Sequence, residues 1–185
     1  MGQRRPYVRS RRPEPIEPIM ILYSDQPGIE VSTLVDAPPA VLWDLVTDIN
    51  LPAKFSTEFQ HAHWLDPFDG PSAGAMFQGH NKHPLAGEWQ VECRIDWFEV
   101  EHQFGWQVLG DDGGPASWRF TLTPEGSRTR LALGAVLGPG RSGLSRVIDA
   151  RPDKEADIVA GRLDEWRGNM NATITGIKAL AESGR

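Results

Sequence analysis

The sequence predicts an α+β domain in which a curved antiparallel sheet of about seven strands wraps around one long C-terminal helix. Most segments between residues 28 and 137 alternate apolar and polar residues, and turn-forming residues separate them. The chain from about residue 153 to residue 182 has a helical period instead. A long helix with one apolar stripe must bury that stripe, and only the inner face of the sheet is large enough to cover it.

The predicted elements begin with a strand and two short helices. Apolar residues alternate with polar ones from Gly28 to Asp36, which is typical of a strand with one buried face. The sequence Asp36-Ala-Pro-Pro then ends the strand and opens a helix, because proline suits the first helical turn. This helix keeps an apolar stripe as far as Ile49, and a second short helix is expected over 52–57.

Six further strands are expected between residues 59 and 137. Short connections rich in glycine, proline and aspartate separate them, so successive strands should pair antiparallel as a meander. The predicted strands are 59–65, 75–83, 88–100, 104–108, 118–123 and 131–137.

The period becomes helical after the glycine-rich stretch from Gly138 to Gly143. A short helix is expected over 144–150, and Asp153 is the expected N-cap of the long helix. Residues 28–182 together form one predicted domain. The expected apolar stripe of the long helix, at spacings of four and three residues, is Val159, Leu163, Trp166, Met170, Thr173, Ile177 and Leu180.

Composition excludes several classes of function. The 185 residues fit one domain, and no apolar run approaches the ~20 residues of a membrane span, so stable membrane insertion is not expected. Because five arginines in the first twelve residues contribute +5 to a net charge of −6, the remainder carries −11. An acidic body repels phosphate backbones, so nucleic acid is not an expected partner. Cys93 is the single cysteine, which excludes an internal disulfide and favours a cytoplasmic location.

Residues 1–19 differ from the rest of the chain. They are basic and proline-rich and have no amphipathic period, so we predict a disordered tail. Such a tail would either tether the protein electrostatically to a membrane or RNA, or be an extension without function that precedes the true start at Met20. The residues alone leave both alternatives open.

Four stretches resemble a known superfamily. The first, Asp36-Ala-Pro-Pro-Ala-Val-Leu-Trp-Asp-Leu-Val-Thr-Asp48, is similar to the first-helix signature of the SRPBCC polyketide cyclase/dehydrase and lipid-transport family. This family belongs to the helix-grip superfamily of START domains and the birch-pollen allergen. The resemblance covers about residues 28–182 and implies a ligand cavity between the sheet and the last helix, but scaffold positions indicate chemistry poorly. The other stretches are Gly74-Ala-Met-Phe-Gln-Gly-His-Asn81, Trp89 to Cys93, and Phe104-Gly-Trp106.

In that fold, strand alternation and the helix stripe nominate the residues that would face a ligand. Apolar walls with a few polar groups are typical of small-molecule sites. The alternative is that the same side chains pack on each other as solid core and leave no pocket. The predicted ligand-binding residues are Phe77, Asn81, Trp89, Val91, Cys93, Phe104, Trp106, Trp118, Phe120, Leu163, Trp166 and Met170.

Asn81 and His83 are the polar candidates on this face. Asn81 would orient a ligand carbonyl or hydroxyl, or else satisfy backbone groups at a strand end. His83 is the best candidate for a general acid or base if it faces the cavity, whereas beside Pro84 at a turn it would be a solvated rim residue. Cys93 is expected to be an inert buried thiol, because Arg94 faces the other way and cannot activate it.

No metal or cofactor is expected. His61 and His63 share a face and could begin a zinc site, but no cysteine or carboxylate at ligand spacing completes it. His80 and His83 point to opposite faces of a strand and cannot chelate one ion. The sequence has no phosphate loop, dinucleotide fingerprint or serine nucleophile motif.

These observations predict intracellular binding or transport of a small hydrophobic molecule, such as a lipid, a polyketide or an aromatic metabolite. A polyketide cyclase or dehydratase, working without a metal, is the alternative, but the sequence shows no second catalytic partner for His83. A third interpretation is a protein-interaction module with a filled core and an exposed apolar patch. A homodimer is compatible with all three.

Overall fold

The computed structural model describes residues 20–183, so the predicted tail over 1–19 lies outside the described residues. Seven strands follow one another along the chain. They are β1 (Gly28–Val35), β2 (Phe59–Trp64), β3 (Met76–His83), β4 (Gly87–Glu99), β5 (Gln103–Val108), β6 (Ala116–Glu125) and β7 (Arg128–Leu137). These strands form one antiparallel sheet in the order β1-β7-β6-β5-β4-β3-β2. The predicted meander is therefore present from β2 to β7, and β1 pairs with β7.

The described part of the chain also contains α1 (Pro39–Val46), α2 (Gly143–Ala150) and α3 (Glu155–Ser183). Short 3-10 turns lie at Tyr23–Asp25, Leu51–Lys54 and Pro152–Lys154. α3 packs against β1, β7 and α1, so the predicted helix-grip fold is confirmed. No helix among residues 20–183 is long and apolar enough to span a membrane.

The second predicted short helix is only a 3-10 turn. It ends at Lys54 instead of Thr57. The Oγ atom of Ser56 accepts hydrogen bonds from the backbone N–H groups of Glu58 and Phe59, at 3.1 and 2.9 Å. Because these bonds turn the chain into β2, no further helical turn forms.

Two irregularities bend the sheet. The register shifts between Phe59 and His61 on β2, and between Ile95 and Trp97 on β4. Such bulges bend the strand that carries them and increase its twist. The sheet can therefore curve around a helix without breaking the ladders on either side.

The buried stripe of α3 follows the predicted spacing with one exception. Leu180 is 42% exposed, whereas Ala181 is buried. Ala181 continues the stripe because it lies four residues after Ile177 and so stands on the same face of the helix. The buried residues of α3 are Val159, Leu163, Trp166, Met170, Thr173, Ile174, Ile177 and Ala181.

A glycine lets α3 approach the segment that leads into β2. A Cβ atom at Gly176 would overlap the ring of Phe55, which directly follows the turn Leu51–Lys54. Only a residue without a side chain fits this contact. Gly176 thus helps to set the distance between α3 and the loop before β2.

Candidate ligand-binding cavity

A cavity lies between the inner face of the sheet and α3. Its volume is about 130 Å³, close to the roughly 150 Å³ of an engineered cavity that holds benzene and below the ~300–1,000 Å³ of drug-sized pockets. The space is therefore of single-ring size. Its wall is formed by Ile49, Pro52, Ser56, Glu58, Phe59, Phe77, Asn81, Val91, Cys93, Trp106, Val108, Trp118, Phe120, Leu133, Trp166, Asn169, Met170 and Thr173.

Strand pairing brings predicted residues from different strands together in this wall. Phe77 on β3 lies opposite Cys93 on β4. Trp106 on β5 lies opposite Trp118 on β6. Since directly opposite residues of an antiparallel pair share a face, the alternation along each strand becomes one continuous inner surface.

Aromatic contacts fix the shape of the wall. The ring of Trp106 lies 5.8 Å from that of Phe77 and 6.3 Å from that of Phe120, measured between centroids. The rings of Trp118 and Trp166 meet where the sheet faces the helix, 4.6 Å apart and tilted by 52°. These separations fall within the preferred range of aromatic pairs, so each ring restricts its neighbour.

The structure places most of the predicted ligand-binding residues in the wall. This result concerns position only, and their role in binding remains a prediction. The predicted residues in the wall are Phe77, Asn81, Val91, Cys93, Trp106, Trp118, Phe120, Trp166 and Met170.

Trp89, Phe104 and Leu163 lie outside the wall, so the structure does not bring these three predicted residues to the cavity. Phe104 is buried, but its ring packs against Trp43 of α1 with 6.2 Å between centroids. Trp89 lies near the start of β4, in a surface cleft beside the N-terminus of α2. Leu163 is buried one helical turn before Trp166, which is the first α3 residue of the wall. Periodicity gives the face of an element, not the position along that face.

His83, the predicted acid–base candidate, also lies outside the wall. Its Nδ1 accepts a hydrogen bond from the backbone N–H of Leu85 at 3.2 Å, and its Nε2 lies 3.6 Å from Oε1 of Glu165. The side chain is 22% exposed. His83 is therefore a partly exposed residue beside Glu165 and not part of the cavity wall.

Polar residues at one end of the wall were missed by the sequence reasoning. Ser56, Glu58 and Asn169 join Asn81 there, and we call these four residues the polar rim. Oδ1 of Asn169 accepts a hydrogen bond from the backbone N–H of Thr57 at 3.0 Å, which links α3 to the loop before β2. No periodic pattern marks residues in such a loop, so no signal was available for Ser56 and Glu58.

A partly buried ion pair joins Glu58 of the polar rim to Arg162 of α3. The two terminal nitrogens of Arg162 each lie 2.6 Å from an oxygen of Glu58, and Nη1 also donates to Glu165 at 3.1 Å. The paired side chains are only 18% and 13% exposed. Burial alone would lower the pKa of Arg162, but the hydrogen bonds and charges of Glu58 and Glu165 outweigh it and raise that pKa. Arg162 stays charged, and carboxylates take up its donors.

A buried hydrogen-bond donor on one of the wall residues has no partner in the described part of the chain. Nε1 of Trp166 is buried and meets no acceptor among residues 20–183, and the residue is 5% exposed. An unpaired buried donor costs about 1–3 kcal/mol. Such groups are rare in native structures and call for an explanation.

Three histidines gather on the opposite face of β2 and β3. The ring centroids of His61 and His80 lie 4.1 Å apart in a stacked pair, and His63 lies 5.5 Å from His80. No group of three metal-ligating side chains among residues 20–183 is arranged to hold an ion. Burial and the charges of His61 and His63 lower the pKa of His80.

Cys93 lies in the cavity wall and is 2% exposed. Burial, together with the nearby charge of Glu92, raises the pKa of its thiol. The thiol is therefore protonated at neutral pH, and only the thiolate is a strong nucleophile.

A curved sheet that grips a long helix and encloses an apolar cavity defines the helix-grip class of proteins. Residues 26–164 match the model of the polyketide cyclase/dehydrase and lipid transport family. This match covers most of the chain, so the protein belongs to that family. No curated protein shows a significant match to the sequence.

Solved structures share the fold. The polyketide-cyclase-like protein Cgl2372 from Corynebacterium glutamicum is 25% identical, with a TM-score of 0.58 over 83% of this chain and 90% of that one. The ZhuI aromatase/cyclase from Streptomyces sp. R1128 is 16% identical, with a TM-score of 0.63 over 85% and 94%. The protein TTHA0849 from Thermus thermophilus is 12% identical, with a TM-score of 0.59 over 85% and 99%. Likeness at the two lower identities shows the fold and leaves the ligand undetermined.

Proposed function

We propose that the protein binds and carries a small hydrophobic molecule in the cavity between the sheet and α3. The cavity wall carries this proposal, because it is apolar and aromatic except at the polar rim and at Thr173, whose hydroxyl donates to the backbone carbonyl of Asn169. Burial of apolar ligand surface contributes roughly 25 cal/mol per Å², from which the cost of ordering the ligand is subtracted. Membership of a family named for polyketide cyclases and lipid transport supports this class of ligand. Asn81 would orient the polar group of the ligand.

The cavity wall favours binding over proton transfer. A cyclase or dehydratase needs a titratable side chain beside the substrate. His83 lies outside the wall, and Glu58, which lies in it, has both carboxylate oxygens bonded to Arg162. We therefore rank the enzyme below the carrier.

The cavity also argues against the third interpretation. A pure interaction module was expected to have a filled core, whereas a space of about 130 Å³ remains between the sheet and α3. We keep a cytoplasmic location in the proposal, supported by the single, buried cysteine. The acidic charge of the chain is poorly suited to nucleic acid.

Native mass spectrometry of the protein, as purified and after extraction and refolding, is the first test. We expect an adduct that extraction removes and whose mass indicates the ligand class. Tryptophan fluorescence with a panel of lipids, polyketides and aromatic compounds then gives affinities. An apo mass together with no fluorescence response to any compound would contradict the proposal.

A variant that fills the cavity, paired with a control variant, can be tested with the same panel of compounds. Val91→Phe adds a ring to the wall and should weaken binding at least about tenfold, because the added atoms occupy the ligand's space. Val100→Phe makes the same change at a position that is 58% exposed and outside the wall. It should leave binding unchanged. Equal effects of the two substitutions would place the ligand elsewhere.

A further inference from the structure

The unpaired donor of Trp166 bears on which ligand the cavity selects. Nε1 of Trp166 is buried without an acceptor among the described residues, and the side chain that carries it lines the cavity. The indole is held in place from two sides. The ring of Trp118 lies 4.6 Å away and the guanidinium of Arg162 lies 5.3 Å from its centroid. The indole is thereby held beside the cavity, and an acceptor atom of a ligand that reaches Nε1 would pair its free N–H group.

The charge of the wall decides what kind of acceptor fits. No lysine or arginine is among the described residues that line the cavity, and Glu58 adds a carboxylate to its rim. The nearest cation in the ion-pair network, Arg162, already donates to Glu58 and Glu165. A ligand carboxylate would lose its hydration without gaining a cation, which is costly in an apolar site. An uncharged oxygen would lose much less.

We propose that the cavity selects an apolar ligand of ring size that carries an uncharged hydrogen-bond acceptor, such as a ketone, aldehyde or ester oxygen, and that this oxygen accepts from Nε1–H of Trp166. The inference rests on the proposed function, because it requires a ligand in this cavity. It goes further by naming the donor and excluding carboxylates. A cavity of about 130 Å³ suits a single aromatic ring with a short substituent.

Three probes of similar size separate these features: acetophenone, ethylbenzene and benzoate. We expect acetophenone to bind and benzoate to bind at least about tenfold more weakly, since the carboxylate has no free cation in the wall. In the ¹H–¹⁵N spectrum, acetophenone should shift the Trp166 indole resonance downfield and ethylbenzene should not. The spectrum tests the donor in the unaltered protein and does not depend on a variant folding.

Trp166→Phe removes the N–H group and keeps an aromatic ring. The substitution should weaken the binding of acetophenone about fivefold more than it weakens the binding of ethylbenzene. This is the factor expected for the loss of one net hydrogen bond. Trp118→Phe is the matched control, because it trims the other indole of the pair and should change both affinities by the same factor. Isothermal titration calorimetry measures the affinity of each variant for both compounds.

The outcomes separate this inference from the function on which it rests. Suppose that acetophenone and ethylbenzene both bind, that Trp166→Phe weakens both by the same factor, and that the indole resonance does not shift. This result would overturn the hydrogen bond from Trp166 but leave the protein as a carrier of hydrophobic molecules. Benzoate binding as tightly as acetophenone would overturn the exclusion of carboxylates. If none of the probes binds, the prediction that the cavity takes a ligand of ring size is wrong, and so is the inference about Trp166.

Discussion

Arg162 does in this structure what a lysine could not. Its planar guanidinium directs two N–H groups at the two oxygens of Glu58, both at 2.6 Å, and its face lies 5.3 Å from the ring centroid of Trp166. A lysine ammonium is a single compact charge without a flat face. One side chain therefore ties α3 to the loop before β2 and restrains the indole that lines the cavity.

Removal of this guanidinium should destabilise the protein markedly. We expect Arg162→Ala to lower the free energy of unfolding by roughly 2–4 kcal/mol, because it leaves the mostly buried carboxylate of Glu58 without its partner. Urea denaturation followed by circular dichroism measures this change. The control is Lys82→Ala, which breaks the ion pair between Lys82 and Glu88. The two side chains of this pair are 62% and 72% exposed. That loss should stay below about 1 kcal/mol, and equal costs for the two variants would show that burial of the Arg162 pair has no effect.

The partners of this ion pair could not be found from the sequence. Glu58 and Arg162 are 104 positions apart, and one of them lies in a loop. Hydrophobic periodicity relates residues within one element and gives no information on polar contacts between distant elements. Phe77 and Trp106, which both lie in the wall, could be assigned to the inner face because each lies on a strand whose alternation marks one face of the sheet.

α3 was the element that the sequence predicted best. The predicted extent, about 153–182, agrees closely with the observed helix, Glu155–Ser183. The agreement is close because a long apolar stripe repeats its period many times. Asp153 instead lies in the 3-10 turn that leads into the helix. Which part of the inner sheet face would surround the cavity was harder to predict. Phe104 has the correct parity but packs against α1, since the sequence does not show where α1 crosses the sheet.

Two glycines of α3 should respond in opposite directions to alanine. Alanine is intrinsically better than glycine in a helix by about 1 kcal/mol. At Gly176 the new Cβ would overlap the ring of Phe55, so Gly176→Ala should be destabilising by roughly 1–3 kcal/mol. At Gly168 an added Cβ would meet no atom within 4 Å beyond its own stretch of helix backbone, so Gly168→Ala should be stabilising by about 0.5–1 kcal/mol. Thermal unfolding of the two variants measures both changes, and stabilisation by both would mean that Phe55 yields to the added methyl group at little cost.

The buried thiol of Cys93 can be used to measure how often the domain opens. Cys93 is the only cysteine and lies in the cavity wall, between the sheet and α3. Because Cys93 is only 2% exposed, we expect a thiol reagent to reach it mainly when the sheet and helix separate. The rate of labelling therefore follows the population of open molecules when opening and closing are fast.

We expect native Cys93 to react with a thiol reagent at least about a thousandfold more slowly than an exposed cysteine, because open molecules are rare. The comparison is Val100→Cys in a Cys93→Ser background, at a position that is 58% exposed. Mass spectrometry follows both reactions at the same pH. Rates within tenfold of each other would show that the cavity admits the reagent without opening of the domain.

The pairing of β1 with β7 also has a consequence during synthesis on the ribosome. Gly28 pairs with Val136, so the first strand to emerge waits for a partner that is about 100 residues away. At a translation rate of about 5–20 residues per second, this wait lasts roughly 5–20 seconds. The edge of β1 and the apolar inner face of the nascent sheet stay uncovered until α3 has also left the exit tunnel. Shorter nascent chains are therefore expected to bind chaperones, and the domain closes only after α3 has emerged.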